Sequence, residues 1–305
     1  MLQFAFNIFI CIWSSMNQAV QGTVKNPVSF QGKGLHTGKH SQITIQPADE
    51  NRGIVFRRID RAGKNTQIQA HWKNIKQLPL CTCISSENKV HIRTIEHLMA
   101  AFYACGIDNA LIDVKGSEIP ILDGSASQFV AGIKQAGIKY QEATRRIFRI
   151  TKKLEIKEKD REIIVEPAAD ILNINITVLI SKIGTRQWSG NMTPARFASE
   201  VSSARTFGHY KDGLLAQLSR FTRTPVCLGA NTNTAVVIGK HGQILNKEGL
   251  RTPNEMVNHR LLDLVGDLML LGGHIQGKIT TIGPVHRLTH ELLAKAFNEQ
   301  AIIEI

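Results

Sequence analysis

Aromatic side chains are scarce, only 6% of the 305 residues. That argues against a nucleic-acid module, which stacks bases on aromatics interleaved with Arg and Lys. Paired cysteines are missing too. Cys11, Cys81, Cys83, Cys105 and Cys227 contain no CxxC, and "CTC" at 81–83 is too tight for a zinc knuckle. An odd count without regular spacing speaks against a disulfide scaffold and fits reduced thiols. Acidic residues number 25 against 37 basic, so the net charge is +12. Such a balance suits an anionic partner: nucleic acid, a nucleotide phosphate or a membrane surface. Repeats and low-complexity segments are absent. The apolar opening, "MLQFAFNIFICIWSS", is too short to span a bilayer and has no basic n-region. Residues 1–15 read as a mis-assigned start before Met16 or a disordered leader, with a signal peptide or short anchor as the alternative.

With 43% hydrophobic residues the chain can bury one large or two medium cores. Strand-like alternation in "HSQITIQPA", "GIVFRRI" and "NALIDV" surrounds the helical pattern "TIEHLMAAFYACG", with Thr94 placed to cap that helix and Gly106 to end it. A second helix, "SASQFVAGIKQAG", follows. "YQEATRR" has no apolar period and reads as linker. Strands in "IFRITKKLEIKEKDREIIVEPA" and "LNINITVLI", then "TPARFASEVSSA" and "AVVIG", helices over about 253–271 and in "RLTHELLAKAFNEQ", and the strand "GKITTIG" roughly repeat the order. The expected architecture is α+β: two similar domains, 16–140 and 147–305 joined by 141–146, each a sheet with helices on one face.

The helix containing "NHRLLDLVGDLMLLGGH" carries the oddest residues. At about 100° per residue, Asp263 lies about 40° and Asp267 about 80° round from His259. Leu261, Leu264, Val265, Leu268 and Leu271 occupy the opposite, core-packing face. Ionised groups among so much leucine must be paired, metal-bound or neutralised. His259 and Asp263, at i and i+4, can reach one ion, although a surface hydrogen-bonded pair has the same spacing. In "TIEHLMAA", Glu96 and His97 open an otherwise apolar helix. They can flank one object beside its first turn, or be a cap residue and an interior histidine. Together, His97, His259 and Asp263 make a three-ligand set with room for water, and Glu96 is a candidate general base. Asp267 can hold a further histidine charged; His274, His286 and His290 are candidates. Thr206 in "ARTFG" offers a hydroxyl, and "GKGLHTGKH" a tight turn with His36.

The segments "GLHTG", "CTCI", "TIEHLMAA", "GIDNALIDV", "EIPILDGSA", "ARTFG", "LNKEGLR" and "HRLLDLVGDL" occur in an order that resembles the UDP-3-O-acyl-N-acetylglucosamine deacetylases, zinc amidases of lipid A biosynthesis. The resemblance runs from about residue 20 to the end. It implies two similar domains, each a two-layer sandwich of a mainly antiparallel sheet and two helices, facing one another around the active site. It implies Zn2+, or Fe2+ on the same ligands, held by His97, His259 and Asp263. The implied substrate is a 3-O-(3-hydroxyacyl) UDP-GlcNAc that loses its N-acetyl group as acetate.

By the same resemblance Glu96 is the base, Thr206 helps stabilise the oxyanion, and His286 held by Asp267 is the acid, with His290 as fallback. Arg260, Arg161, Phe207, Leu80, Cys81, Cys227, Gly229 and Ala230 are implied substrate contacts. Arg260 and Arg161 replace family lysines, His286 follows Val rather than Gly, "LISKIGTRQW" replaces an F-x-H-P segment, and Ala230 replaces a glycine. These departures leave acyl length open. The expected protein is a cytoplasmic monomer taking a small-molecule substrate and no nucleic acid, with peripheral membrane contact as an addition. An RNA-binding protein would leave the His-Asp-Asp stripe unexplained. An amidase or esterase for another acylated sugar nucleotide would share the metal and base.

Overall fold

The computed structural model describes residues 20–61, 66–169, 171–222 and 224–305. Cys11, Met16 and the apolar opening lie outside the described residues. The architecture is α+β. One sheet has five strands in the spatial order Val28–Lys33, His40–Gln46, Ala110–Lys115, Ile54–Arg58 and Gln67–Gln69. All pairs are antiparallel except Ala110–Lys115 with Ile54–Arg58. A seven-stranded sheet is built around His274–Ile282, which pairs antiparallel with Arg161–Glu166 and parallel with both Ile147–Ile150 and Leu172–Ile180. Period-two burial explains the strands: Leu172, Ile174, Ile176, Val178 and Ile180 are buried while the residues between face outward or are half-covered.

Four helices carry the interior. Helix α1 (Glu96–Cys105) is buried all round, the pattern of a helix enclosed by protein. Gly106, at φ 65°, ends it, as its spacing predicts. Thr94 does not cap it. Held at φ 58°, Thr94 donates its hydroxyl to Glu118 Oε1 at 2.8 Å instead, and the first turn has no side-chain cap. Helix α2 (Ser127–Ala136) packs on α1 and on Val28–Lys33, α3 (Glu255–Leu268) on α1 and on the hairpin Leu172–Ile180/Gly184–Asn191, and α4 (His286–Asn298) on α3 and on Leu154–Glu158. One hydrophobic cluster runs through both sheets and all four helices.

One segment differs from expectation. The aperiodic stretch containing "YQEAT" is a strand, Ile138–Thr144, because it finds a partner in Val20–Val24. Neither face of a two-stranded ribbon needs an apolar stripe. In "TPARFASEVSSA" one helical turn, Pro194–Arg196, runs directly into a wider one, Phe197–Val201, with Thr193 accepting from the Arg196 N–H. Among the described residues the four cysteines are free thiols, as their spacing suggests. No helix among them is long and apolar enough to cross a membrane.

A buried ion pair fixes the start of α3. Arg205 Nε donates to Glu255 Oε1 at 2.7 Å, and its Nη2 reaches the Gly249 carbonyl; the two side chains are 2% and 0% exposed. Removing Glu255 leaves Arg205 with the more exposed Glu248 beside its Nη1, and breaking a buried pair costs up to about 3–5 kcal/mol. Glu255→Ala is therefore expected to lower the unfolding free energy by that amount in denaturant titration. A loss below about 1 kcal/mol would mean Arg205 escapes to water.

Candidate active site

Three helices supply the site. His97 comes from the first turn of α1, His259 and Asp263 from successive turns of α3, and His286 opens α4. One ligand atom from each of His97, His259 and Asp263 lies within 4.8 Å of the others, and all three residues are buried. Asp263 Oδ1 is 3.4 Å from His259 Nε2 and 3.8 Å from His97 Nε2. The His259 Nδ1–H donates to the Ala204 carbonyl at 3.2 Å, which turns Nε2 toward Asp263 and His97. Burial first, then the neighbouring His259 for His97 and Arg260 for His259, pushes both imidazoles down to about 3, so they are neutral. Two neutral imidazoles and a carboxylate converging in a dry site fit a divalent ion.

Gly266 makes this meeting possible. A Cβ there would overlap the Glu96 carbonyl oxygen and stand 2.9 Å from its carbonyl carbon, so α1 and α3 meet backbone to backbone at this point.

Beside the triad are a carboxylate and an imidazole of opposite charge preference. Glu96 is 2% exposed; its Oε2 accepts from the Thr82 N–H at 3.1 Å and its Oε1 is 3.8 Å from His286 Nε2. Burial pushes it up to about 8; His286 opposes this, while Asp263 and Asp267 add to it. His286 Nδ1 donates to Asp267 Oδ2 at 2.8 Å. Burial would lower His286, but the Asp267 charge and hydrogen bond, with Asp263 and Glu96, lift it to about 10. Burial likewise works against ionised Asp267, and His286 outweighs it, holding the carboxyl below the ordinary range. Thr82 donates its hydroxyl to Asp267 Oδ1.

Of the candidates beside Asp267, His286 is the one that also faces Glu96. His290 Nε2 sits 3.0 Å from Thr82 Oγ1 and 3.8 Å from Asp267 Oδ1. His274 lies elsewhere, against Tyr103 and 3.7 Å from Asp108.

A family model for UDP-3-O-acyl N-acetylglycosamine deacetylase matches residues 21–298. The chain belongs to this family. Among relatives named UDP-3-O-acyl-N-acetylglucosamine deacetylase, one from Geotalea uraniireducens is 38% identical over 282 residues, covering 91% of this chain and 88% of that protein. Another, from Wigglesworthia glossinidia brevipalpis, is 36% identical over 284 residues, covering 92% and 93%.

The other positions singled out by resemblance to the deacetylase family fall in several places. Arg260 lies 3.3 Å from Asp263 Oδ2 and stacks over Phe207, whose ring meets His259 edge-on. Thr206 is half-buried and anchored through its backbone to Gly124 and Val236. Arg161 is exposed, its stem against Gly283, just before the Pro284–Val285 wall of a narrow cleft beside Asp263 and His286.

Cys227 and Gly229 pack on the turn around His36: the Cys227 N–H donates to His36 Nδ1 at 3.3 Å, and the Gly229 N–H to the Leu35 carbonyl at 2.9 Å. A Cβ at Gly229 would overlap the Gly34 carbonyl oxygen, whereas Ala230 is half-exposed. Cys81 is buried beside Glu96, and Leu80 is 64% exposed at φ 63°.

Several supporting groups carry little sequence signal. Thr82 reads as an ordinary β residue between two cysteines, yet it touches both Glu96 and Asp267. The Ala204 contribution is a backbone carbonyl, invisible in a side-chain pattern. Glu118 is buried and binds the His36 and Thr37 N–H groups. Only the rarity of a carboxylate in "GSEIPIL" could have pointed to it.

Proposed function

We propose that this chain is a zinc-dependent hydrolase that removes the N-acetyl group, as acetate, from UDP-3-O-(3-hydroxyacyl)-N-acetylglucosamine, in lipid A biosynthesis. Membership of the deacetylase family supports the reaction. The observation that carries the chemistry is the pairing of a buried His97–His259–Asp263 set with Glu96 on one side and His286–Asp267 on the other. Two facing sandwich domains, 16–140 and 147–305, place α1 and α3 at their junction. The protein acts as a cytoplasmic monomer, and Fe2+ fits the same ligands as Zn2+.

His97, His259 and Asp263 would hold the ion, which when bound would supply Lewis acidity toward the amide carbonyl and water. Glu96 takes the proton as water adds to the carbonyl carbon, its far oxygen steadied by the Thr82 N–H. The Thr206 hydroxyl donates to the oxyanion. As the C–N bond breaks, His286 delivers a proton to the leaving amine, and Asp267 keeps that imidazole charged and aimed. Arg260, Phe207 and Arg161 meet the sugar nucleotide. Leu80, Cys81, Cys227, Gly229 and Ala230 line the way for the acyl chain.

Acetate release from that substrate by metal-loaded protein tests the assignment. Turnover that a chelator abolishes and added Zn2+ restores is expected; metal bound at one site with no acetate at any acyl length would discard the substrate. The rate should also be bell-shaped in pH. Glu96 must be ionised, so kcat/KM rises through its pKa, and His286 must be protonated, so the rate falls through its own; a bound cation draws both below their metal-free values of about 8 and about 10. His286→Gln should remove the alkaline limb, and a limb that persists would take the acid role from His286.

A further inference from the structure

Between the parallel pair Phe207–His209/Val236–Ile238 and the Cys227 loop runs a short helix, Tyr210–Ala216, extended by the tighter turn Gln217–Phe221. Tyr210, Leu214, Leu218 and Phe221 are 53%, 56%, 66% and 85% exposed. Tyr210 and Leu214 lie one turn apart on the α-helix, and Leu218 and Phe221 one turn apart on the tighter extension, so each pair shares a face and all four point outward. The opposite side is tied down. Ala216 is buried, and Ser219 Oγ donates to the Ala216 carbonyl and accepts from the Val226 N–H at 2.9 Å. The four side chains are therefore presented to solvent by a fastened backbone. Single exposed apolar residues are ordinary, but a group of them marks an interaction surface.

Its surroundings are basic. Lys211 and Arg220 are exposed on the same segment, against one acidic residue, Asp212. Strand pairing sets His209 level with Ile238, so Tyr210 begins beside the Gly239–Gln243 turn, which carries Lys240. Gly242 of that turn packs on Lys182, and in the same hairpin Leu179 is 71% exposed. Apolar groups flanked by Lys and Arg, with aromatic rings at both ends, match the division of a lipid interface into acyl boundary and headgroup charge.

We propose that residues 210–221 dock this protein on the surface of an anionic lipid bilayer. Tyr210, Leu214, Leu218 and Phe221 enter the acyl boundary, while Lys211, Arg220, Lys240 and Lys182 meet lipid phosphates. The surface stands without the reaction assignment. Its use in meeting an acylated substrate rests on that reading.

Co-sedimentation of the full chain with vesicles tests it, using phosphatidylcholine alone and an equimolar mixture with phosphatidylglycerol. Binding to the mixed vesicles should be at least about tenfold tighter than to phosphatidylcholine and weaken with salt. Leu218→Ser combined with Phe221→Ser should weaken it by about tenfold or more. Phe221→Trp, a conservative change, should show a blue-shifted emission only with the anionic vesicles, which keeps the test valid if the double variant unfolds. Absence of binding, or equal binding by a folded double variant, would overturn the proposal. So would a wild-type dimer, without vesicle binding, that the double variant converts to monomer. None of these readouts involves turnover, so a failed substrate assignment is told apart from a failed surface.

Discussion

Glu96→Gln is expected to lower kcat by about a hundredfold to ten-thousandfold, the range of a lost general base, while the protein still binds one metal ion. Glutamine keeps the size of the side chain and can still accept from the Thr82 N–H, but it cannot take a proton. His97, His259 and Asp263 are untouched, and their convergence does not run through the Glu96 carboxylate. Steady-state kinetics beside metal analysis separates the two effects. A variant retaining more than a tenth of the activity would remove Glu96 from the base role. Loss of metal along with activity would make it a support for the ligands instead.

Gly266→Val should damage stability and metal binding together. Helix propensity alone predicts the reverse, since glycine inside a helix costs about 1 kcal/mol relative to alanine. Contact decides against it. Even a Cβ overlaps the Glu96 carbonyl, and the γ-methyl groups of valine would drive α1 from α3. Overpacking of this kind costs about 1–3 kcal/mol. The displaced helix carries His97, so metal affinity should fall by about 10- to 100-fold, as when the groups supporting metal ligands are disturbed. Thermal unfolding and metal titration measure the two losses. A variant with raised Tm and unchanged affinity would mean that the helices do not meet there.

Periodicity made the strongest elements legible. α3 announces itself through leucines on one face and His259, Asp263 and Asp267 on another, and α1 through an apolar run opened by Glu96 and His97. Elements whose identity depends on a distant partner were not legible. Ile138–Thr144 is a strand because Val20–Val24 lies beside it, and no local pattern encodes that neighbour. Thr94 has the chemistry of a cap, but a buried carboxylate more than twenty positions along the chain claims its hydroxyl. In the site, residue types with costly burial could be read from sequence, because each demands a partner. Their partners were harder: a threonine in a β-like setting and a main-chain carbonyl leave no compositional trace.

The triad is split unevenly between two helices from opposite halves of the chain. His259 and Asp263 share α3, so they form a two-point seat as soon as that helix winds, whereas His97 reaches it only when α1 has docked across Gly266. An ion held by this set would span a junction closed by tertiary contact. A nascent chain that has not yet joined its halves can offer two donors but not three, and tight metal retention comes after docking. Bound there, an ion would work as a late clasp whose release is coupled to reopening of that junction.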